Sequence, residues 1–311
     1  MNTDAHVHLV GEGWIEERFF FNLARLISAD AGKVTGEFPD PSSLLDTIKD
    51  ALFETSGEAL IREMDAADIS RSCLFTVDYG LLTGEPAVSI EQQNRQIADV
   101  VRRYPDRFDG FFSIDPRRPG ALALFRRGVE TWGLRGLKLH PASGWYPYDE
   151  DFFPLYQQCQ DYQLPLLIHT GGQPAPMKSR FGRPAYVDDV AAAFPQLRII
   201  MAHCGYNWWE EALMICNMKS NCLVDFSGWQ QTYLRYPAHF YRVLRQVLDT
   251  IGPWRVLFGS DGPYLNVVCP LKNWVGAFRD PQNWPEGITF SDDELDIVMG
   301  RAYSRLFDKS Q

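Results

Sequence analysis

The sequence predicts an α/β fold, a single-domain (β/α)8 TIM barrel with extended βα loops, on three observations. Short apolar runs recur eight times with amphipathic helical stretches between them. The runs are too apolar to leave a face in water, which calls for a parallel sheet covered on both sides. The turn after the first run, Val10–Gly13, lacks the GxGxxG pattern that usually opens a dinucleotide-binding open sheet. Eight βα units then close more economically into a barrel than into a doubly wound sheet.

The units follow in order. Strand Ala5–Val10 leads to helix Ser43–Ala67, strand Ser72–Val77 to helix Ile90–Arg103, and strand Phe108–Ile114 to helix Ala121–Thr131. Strand Gly136–His140 leads to helix Phe152–Tyr162, strand Pro165–His169 to Val187–Phe194, and strand Arg198–Ala202 to Trp208–Met218. Strand Cys222–Phe226 precedes helix Ala238–Asp249, and strand Arg255–Phe258 precedes a last helix near Asp292–Phe307. That helix opens on Ser291 with Glu294 three residues on, the pattern of a capping box. Three βα connections exceed what a barrel needs: Gly11–Pro41, Gly171–Tyr186 and Pro263–Gly287. They lie on the side where barrels build their sites and read as a substrate lid. With no repeat, low-complexity tract or linker, residues 1–311 read as one domain.

Charge narrows the function. The chain has 311 residues, 30 Lys+Arg against 40 Asp+Glu and a net charge of −10, which argues against a nucleic-acid partner. No apolar run approaches the ~20 residues of a membrane span, and Met1–His6 has neither the basic nor the apolar region of a signal peptide. The six cysteines lack CxxC spacing and read as buried thiols of a reduced compartment. The expectation is a cytoplasmic protein with a small-molecule substrate and no nucleic-acid or membrane partner, self-association being left open.

The chemistry lies in the histidines. Of six, only His239 falls on a helix; His6, His8, His140, His169 and His203 lie within or at the ends of strands, which a barrel brings to one mouth. In His6-Val7-His8, period-two alternation turns both imidazoles inward and Val7 outward. His169, His203 and Asp261 each close an apolar run, with Gly171, Gly205 and Gly262 just beyond. Three or four imidazoles with a carboxylate suit one divalent metal ion, zinc first, with manganese, iron or cobalt as alternatives. Such an ion lowers the pKa of bound water to roughly 7. Asp261 is then the proton acceptor, and His203 either polarises the substrate oxygen or completes the ligand set.

The set His6-Val7-His8, His169, His203-Cys204-Gly205 and Asp261 within Phe258-Gly259-Ser260-Asp261-Gly262-Pro263 resembles the amidohydrolase superfamily. Tyr104-Pro105-Asp106-Arg107-Phe108, Ile114-Asp115-Pro116 and Gly136-Leu137-Lys138-Leu139-His140-Pro141 are similar to its amidohydrolase-2 branch, which includes aminocarboxymuconate semialdehyde decarboxylase. The resemblance runs from residue 4 to about 308. It implies that His6, His8, His169 and Asp261 ligate a divalent metal and that His203 is an acid/base, an electrophile or a further ligand. It implies a metal-dependent hydrolase working through a metal-bound hydroxide, with non-oxidative decarboxylation on the same site as the alternative. A metal-retaining barrel that only binds is a second alternative, disfavoured by Asp261, since a structural zinc site needs no carboxylate base.

Lys138 shares parity with His140, so both face inward. In some superfamily members a lysine on this strand is carboxylated and bridges two metals; here Lys138 is read first as a cation paired with a carboxylate, and His140 as lining the substrate pocket. Arg180 and Arg183 in the strand-five loop are candidates to grip a substrate carboxylate. Trp145, Tyr146, Tyr148, Tyr206, Trp208, Trp229 and Tyr264 crowd the rim and suit a planar substrate. Asp78 and Asp225, ending strands two and seven, are placed to orient ligands or to cap turns.

Overall fold

The computed structural model describes residues 2–308, residues 34 and 35 by their backbone; residues 1 and 309–311 of the expected 1–311 domain lie outside the described residues. Parallel strands β1 (Asn2–His8), β2 (Ile69–Phe75), β3 (Phe108–Gly110), β4 (Phe112–Ser113), β5 (Leu137–Leu139), β6 (Leu166–Ile168), β7 (Ile199–Met201), β8 (Cys222–Asp225) and β9 (Val256–Leu257) follow one another around the barrel. The run expected as one strand at Phe108–Ile114 is split at Phe111. The Phe111 amide still donates to Leu74 O (2.8 Å), while Phe112 turns to Gly136 O (2.8 Å), so β3 and β4 form one stave. The ring shuts between the chain's first and last strands. Ala5 N donates to Phe258 O (2.9 Å), Asp261 N to His6 O (2.9 Å) and His8 N to Gly262 O (2.6 Å).

Two apolar layers hold this ring. Val7, Leu74, Phe112, Leu137, Leu139, Leu166, Ile168, Ile199, Met201 and Val224 pack outward against the helices. Ala5, Cys73, Phe75, Phe111, Leu167, Ile200, Leu223 and Leu257 form a separate cluster with Ile297, Tyr303 and Leu306. Placing Val7 in the first layer turns His6 and His8 to the other side of β1, as the alternation requires.

The helices answer to local signals. Ile90–Arg103 begins at a capping box, Ser89 and Gln92 bonding reciprocally, and a second box at Ser291 and Glu294 opens Asp292–Asp296. That last helix continues through a π turn at Ile297–Arg301 into Ala302–Arg305. The helix expected over Ser43–Ala67 is two, Pro41–Leu52 and Glu58–Ala66. Glu54 takes the amides of Gly57 (3.0 Å) and Ala59 (2.8 Å), and Gly57 at φ +82 makes the turn. The extended connection after β1 carries a 19-residue helix, Glu17–Thr35, and the one after β9 carries Leu271–Arg279. No helix among the described residues is long and apolar enough to cross a membrane. All six cysteines are free and buried.

Candidate metal centre

The ends of the barrel strands bring five imidazoles, Asp261 and Lys138 into one buried group. His6 is fully buried on β1. Its Nδ1 donates to Asp225 Oδ2 (3.0 Å), which leaves the Nε2 lone pair toward Asp261 Oδ1 (3.4 Å) and Lys138 Nζ (3.3 Å). His8 Nε2 lies 3.0 Å from the same Asp261 oxygen. Asp261 adopts left-handed backbone (φ 56), where Asp is better tolerated than most residues. Its side chain is 19% exposed against 0% for His6 and 7% for His8, so it is the member open to the mouth.

His169 follows β6 and stacks on His140, ring centroids 4.1 Å apart. Its Nδ1 meets His203 Nε2 at 3.1 Å. His203 follows β7 and heads a left-handed run with Cys204, Gly205 and Tyr206 (φ 60, 45, 68 and 49). One donor atom each from His6, His203 and Asp261 lies within 4.8 Å of the others. The geometry therefore puts His203 within ligand reach beside His6 and Asp261, while His8 is tied to Asp261 and His169 to His203.

Burial sets the protonation states. It pushes His203 down to about 4 and lowers His6, His8, His140 and His169, so these rings are neutral and keep lone pairs. Burial works against ionising Asp261, but the hydrogen bond from His8 and the surrounding imidazoles outweigh it and hold the carboxyl below the usual range. Burial brings Lys138 down to about 8, with Asp225 and Asp261 pulling the other way; its Nζ also lies over the Phe75 ring at 4.6 Å. Neutral imidazoles with one ionised carboxylate form the donor set of a divalent ion. His169 Nε2 and His8 Nδ1 are buried without a hydrogen-bond partner, as a group completed by something bound would leave them. The residues fit a metal.

Aromatic rings line the mouth. Tyr79 packs edge-on to His140 (5.0 Å) with its hydroxyl 3.3 Å from His140 Nε2, and Tyr264 packs edge-on to His8 (5.1 Å). Phe19, from the helix after β1, touches both tyrosines (5.4 and 6.1 Å). The stretch expected as lid thus includes a helix whose Phe19 packs on the two tyrosines of the mouth.

Other expected residues are used elsewhere. Arg183 is exposed and engages Glu211, with its guanidinium 5.7 Å from the Trp208 ring, so its fork is not free for a substrate carboxylate. Arg180 is exposed and lies against Phe181 at 4.7 Å. Asp78 braces the rim rather than the cluster, holding Arg118 through both oxygens (2.6 and 2.8 Å) and accepting Asp115 N (2.8 Å). Asp225 does orient ligand candidates, holding His6 Nδ1 and the His203 amide (3.0 Å each). Sequence reasoning missed Tyr79 and Ser227, and took Asp4 only as part of the first-strand signature Asp4-Ala5-His6-Val7-His8, with no role of its own. Asp4 Oδ1 takes the amides of His6 (3.1 Å) and Ser260 (2.9 Å), tying β1 to the segment that carries Asp261. The signal for Asp4 was a carboxylate two residues before His6, on the same face of the strand; Tyr79 and Ser227 gave none.

Comparison with known proteins places the chain in a family and its fold among TIM barrels. The family model described as Amidohydrolase matches residues 3–307. A 2-keto-4-carboxy-3-hexenedioate hydratase of Sphingobium sp. (strain NBRC 103272 / SYK-6) is 25% identical over 243 residues, 69% of this chain and 70% of its own. The uncharacterized TIM-barrel protein Bb4693 of Bordetella bronchiseptica superposes with a TM-score of 0.71 at 22% identity, covering 98% of this chain and 97% of that one. A 5-carboxyvanillate decarboxylase of Novosphingobium aromaticivorans DSM 12444, complexed with manganese and 4-hydroxy-3-methoxy-5-nitrobenzoic acid, gives 0.69 at 19% identity over 99% and 96%.

Proposed function

Since the chain belongs to the amidohydrolase family, we propose that it is a metal-dependent hydrolase acting on a small, carboxylated, planar substrate. The observation that carries this reading is the position of Asp261: a carboxylate set among neutral imidazoles, and more open to the mouth than His6 or His8. In the proposed site His6, His8, His169 and Asp261 would hold one divalent ion, zinc first, with manganese, iron or cobalt as alternatives. When bound, the ion supplies charge stabilisation and a more acidic water. Asp261 would take the proton from the attacking water. His203, neutral with Nε2 within reach, polarises the substrate oxygen or joins the ligands. Lys138 is the buried cation for a substrate carboxylate, with Arg180 the remaining candidate at the rim, and His140 lines the pocket against Tyr79. A cytoplasmic location belongs to the proposal, supported by the free cysteines.

Non-oxidative decarboxylation is the second reading. It is favoured by the aromatic rings of Phe19, Tyr79 and Tyr264 around the mouth, which suit a planar acid, and by the likeness to the carboxyvanillate decarboxylase. The test loads the protein with zinc or manganese and offers carboxylated lactones, amides and hydroxybenzoic acids in oxygen-18 water. Product carrying the label supports hydrolysis. Carbon dioxide release without label assigns the chain to the decarboxylases. A metal-loaded protein that turns over none of them but binds one tightly returns the binding-barrel reading.

A further inference from the structure

His203 is held in place by a single stretch of chain at the end of β8. Asp225 Oδ1 accepts the His203 amide (3.0 Å), and the Trp229 indole donates to the His203 carbonyl (2.8 Å), fixing a left-handed backbone that an L-residue rarely adopts. Gly228, itself at φ +81, lies against the ring; a Cβ there would stand 2.9 Å from His203 Nδ1. Ser227 Oγ completes the cradle, 2.8 Å from the same nitrogen. Ser227 and Asp225 are fully buried and Trp229 and His203 nearly so, so no solvent competes for these bonds.

The direction of each bond follows from proton counting. An ionised carboxylate only accepts. Asp225 Oδ2 takes the His6 Nδ1 proton, and Oδ1 takes the amides of His203 and Ser227 and the Ser227 hydroxyl. Ser227 has one hydroxyl proton. With it committed to Asp225, Oγ faces His203 with lone pairs alone, so the proton between them belongs to Nδ1. The neutral ring then carries no hydrogen on Nε2, the atom that meets His169 Nδ1.

We infer that Ser227 is a positioning residue: it hands the acceptor character of Asp225 on to His203 and locks the imidazole as its Nδ1–H tautomer, with Nε2 bare toward the donor group. One carboxylate thereby sets two rings, His6 directly and His203 through a hydroxyl. The value of a bare Nε2 rests on the proposed role of His203 in the site, whereas the tautomer itself does not.

The experiment reads the tautomer in metal-free protein labelled with nitrogen-15 histidine, by long-range proton–nitrogen correlation above pH 7, His203 being assigned from His203→Gln. The expected wild-type pattern is a protonated Nδ1 and a bare Nε2. Ser227→Ala mixes or reverses it, and Ser227→Thr, which keeps the hydroxyl, restores it. A wild-type Nε2–H ring, or a pattern unmoved in Ser227→Ala, overturns the inference; if neither variant folds, the wild-type spectrum alone decides. Zinc titration is the second arm, with affinity expected to fall about 10–100-fold in Ser227→Ala. A wild-type protein that shows the tautomer and binds no zinc supports the cradle while removing the metal reading.

Discussion

The two sides of the barrel mouth are finished differently. On the β7–β8 side, each side-chain polar atom of His203, Asp225, Ser227 and Trp229 has a partner, with Gln230 Oε1 next to them the exception, and Asp225 reaches across to His6. On the side reached from β5, β6 and the segment after β9, His140 Nδ1, Ser143 Oγ, Trp145 Nε1, His169 Nε2 and Tyr264 OH are buried without one. A native protein leaves few buried polar groups unpaired, so a concentration of them marks where something else completes the bonding. The partnered side reads as fixed machinery, ordered before anything binds. The unpartnered side reads as the face offered to ligand and substrate.

The largest effect is expected where the two sides meet. His6→Ala with His8→Ala removes the β1 donors, and elemental analysis of zinc- or manganese-loaded protein should find the metal gone; unchanged content excludes both as ligands. Asp261→Asn keeps the shape and most metal affinity but loses the base, so kcat on a confirmed substrate should fall about 10²–10⁴-fold. Full activity in that variant breaks the role given to Asp261.

The buried imidazoles predict a pH response. Their folded pKa values lie below the unfolded 6.5, so the unfolded chain gains protons first and stability is lost as pH falls from 6.5 toward the folded values. For His203, at about 4 when folded, the loss amounts to about 3 kcal/mol. Asp4 acts in the opposite sense. Burial raises it to about 7, so between its ordinary value and 7 the folded chain holds the extra proton and stability falls as pH rises. Denaturation of metal-free protein from pH 8 to 5 should show net loss, and Asp4→Asn should steepen it; a flatter curve in that variant contradicts the assignment.

Two tryptophans test the comparison directly, because the same atoms are deleted on each side. Trp229→Phe strands a buried carbonyl and should cost about 1–3 kcal/mol more than Trp145→Phe, whose indole nitrogen has no bond to lose. Equal shifts in the denaturant midpoint erase the distinction between the sides. Smallest of all, Arg183→Ala should leave KM for an anionic substrate unchanged, since its guanidinium is already engaged by Glu211.

Much of this was readable in the sequence because barrel strands announce themselves. His169, His203 and Asp261 each close an apolar run just ahead of a glycine, and the helix at Ile90–Arg103 lies where its capping serine puts it. What escaped depends on partners distant in the chain. Arg183 looked free because Glu211 lies 28 residues on, and nothing local marks Ser227, because the ring it serves is 24 residues back. The connection Gly11–Pro41, which the sequence predicts as part of a lid, holds the helix Glu17–Thr35, whose Phe21, Leu26 and Ile27 stay exposed while Phe19, Phe20 and Ala24 are buried. The single helix expected over Ser43–Ala67 failed at Glu54, whose carboxylate competes for the amides that would have continued it.

The shutting of the ring between β1 and the segment after β9 has a consequence for folding. His6 and His8 come from the beginning of the polypeptide and Asp261 from near its end, so the donors exist as a group only after the last stave has docked on the first. An ion shared by them would act as a clasp on that seam, favouring the completed circle over any chain whose final strand is still loose, by an amount that grows with free-ion concentration. Assembly of the donor group and completion of the architecture would then reinforce one another, and chelation would weaken the seam while its backbone hydrogen bonds keep it shut.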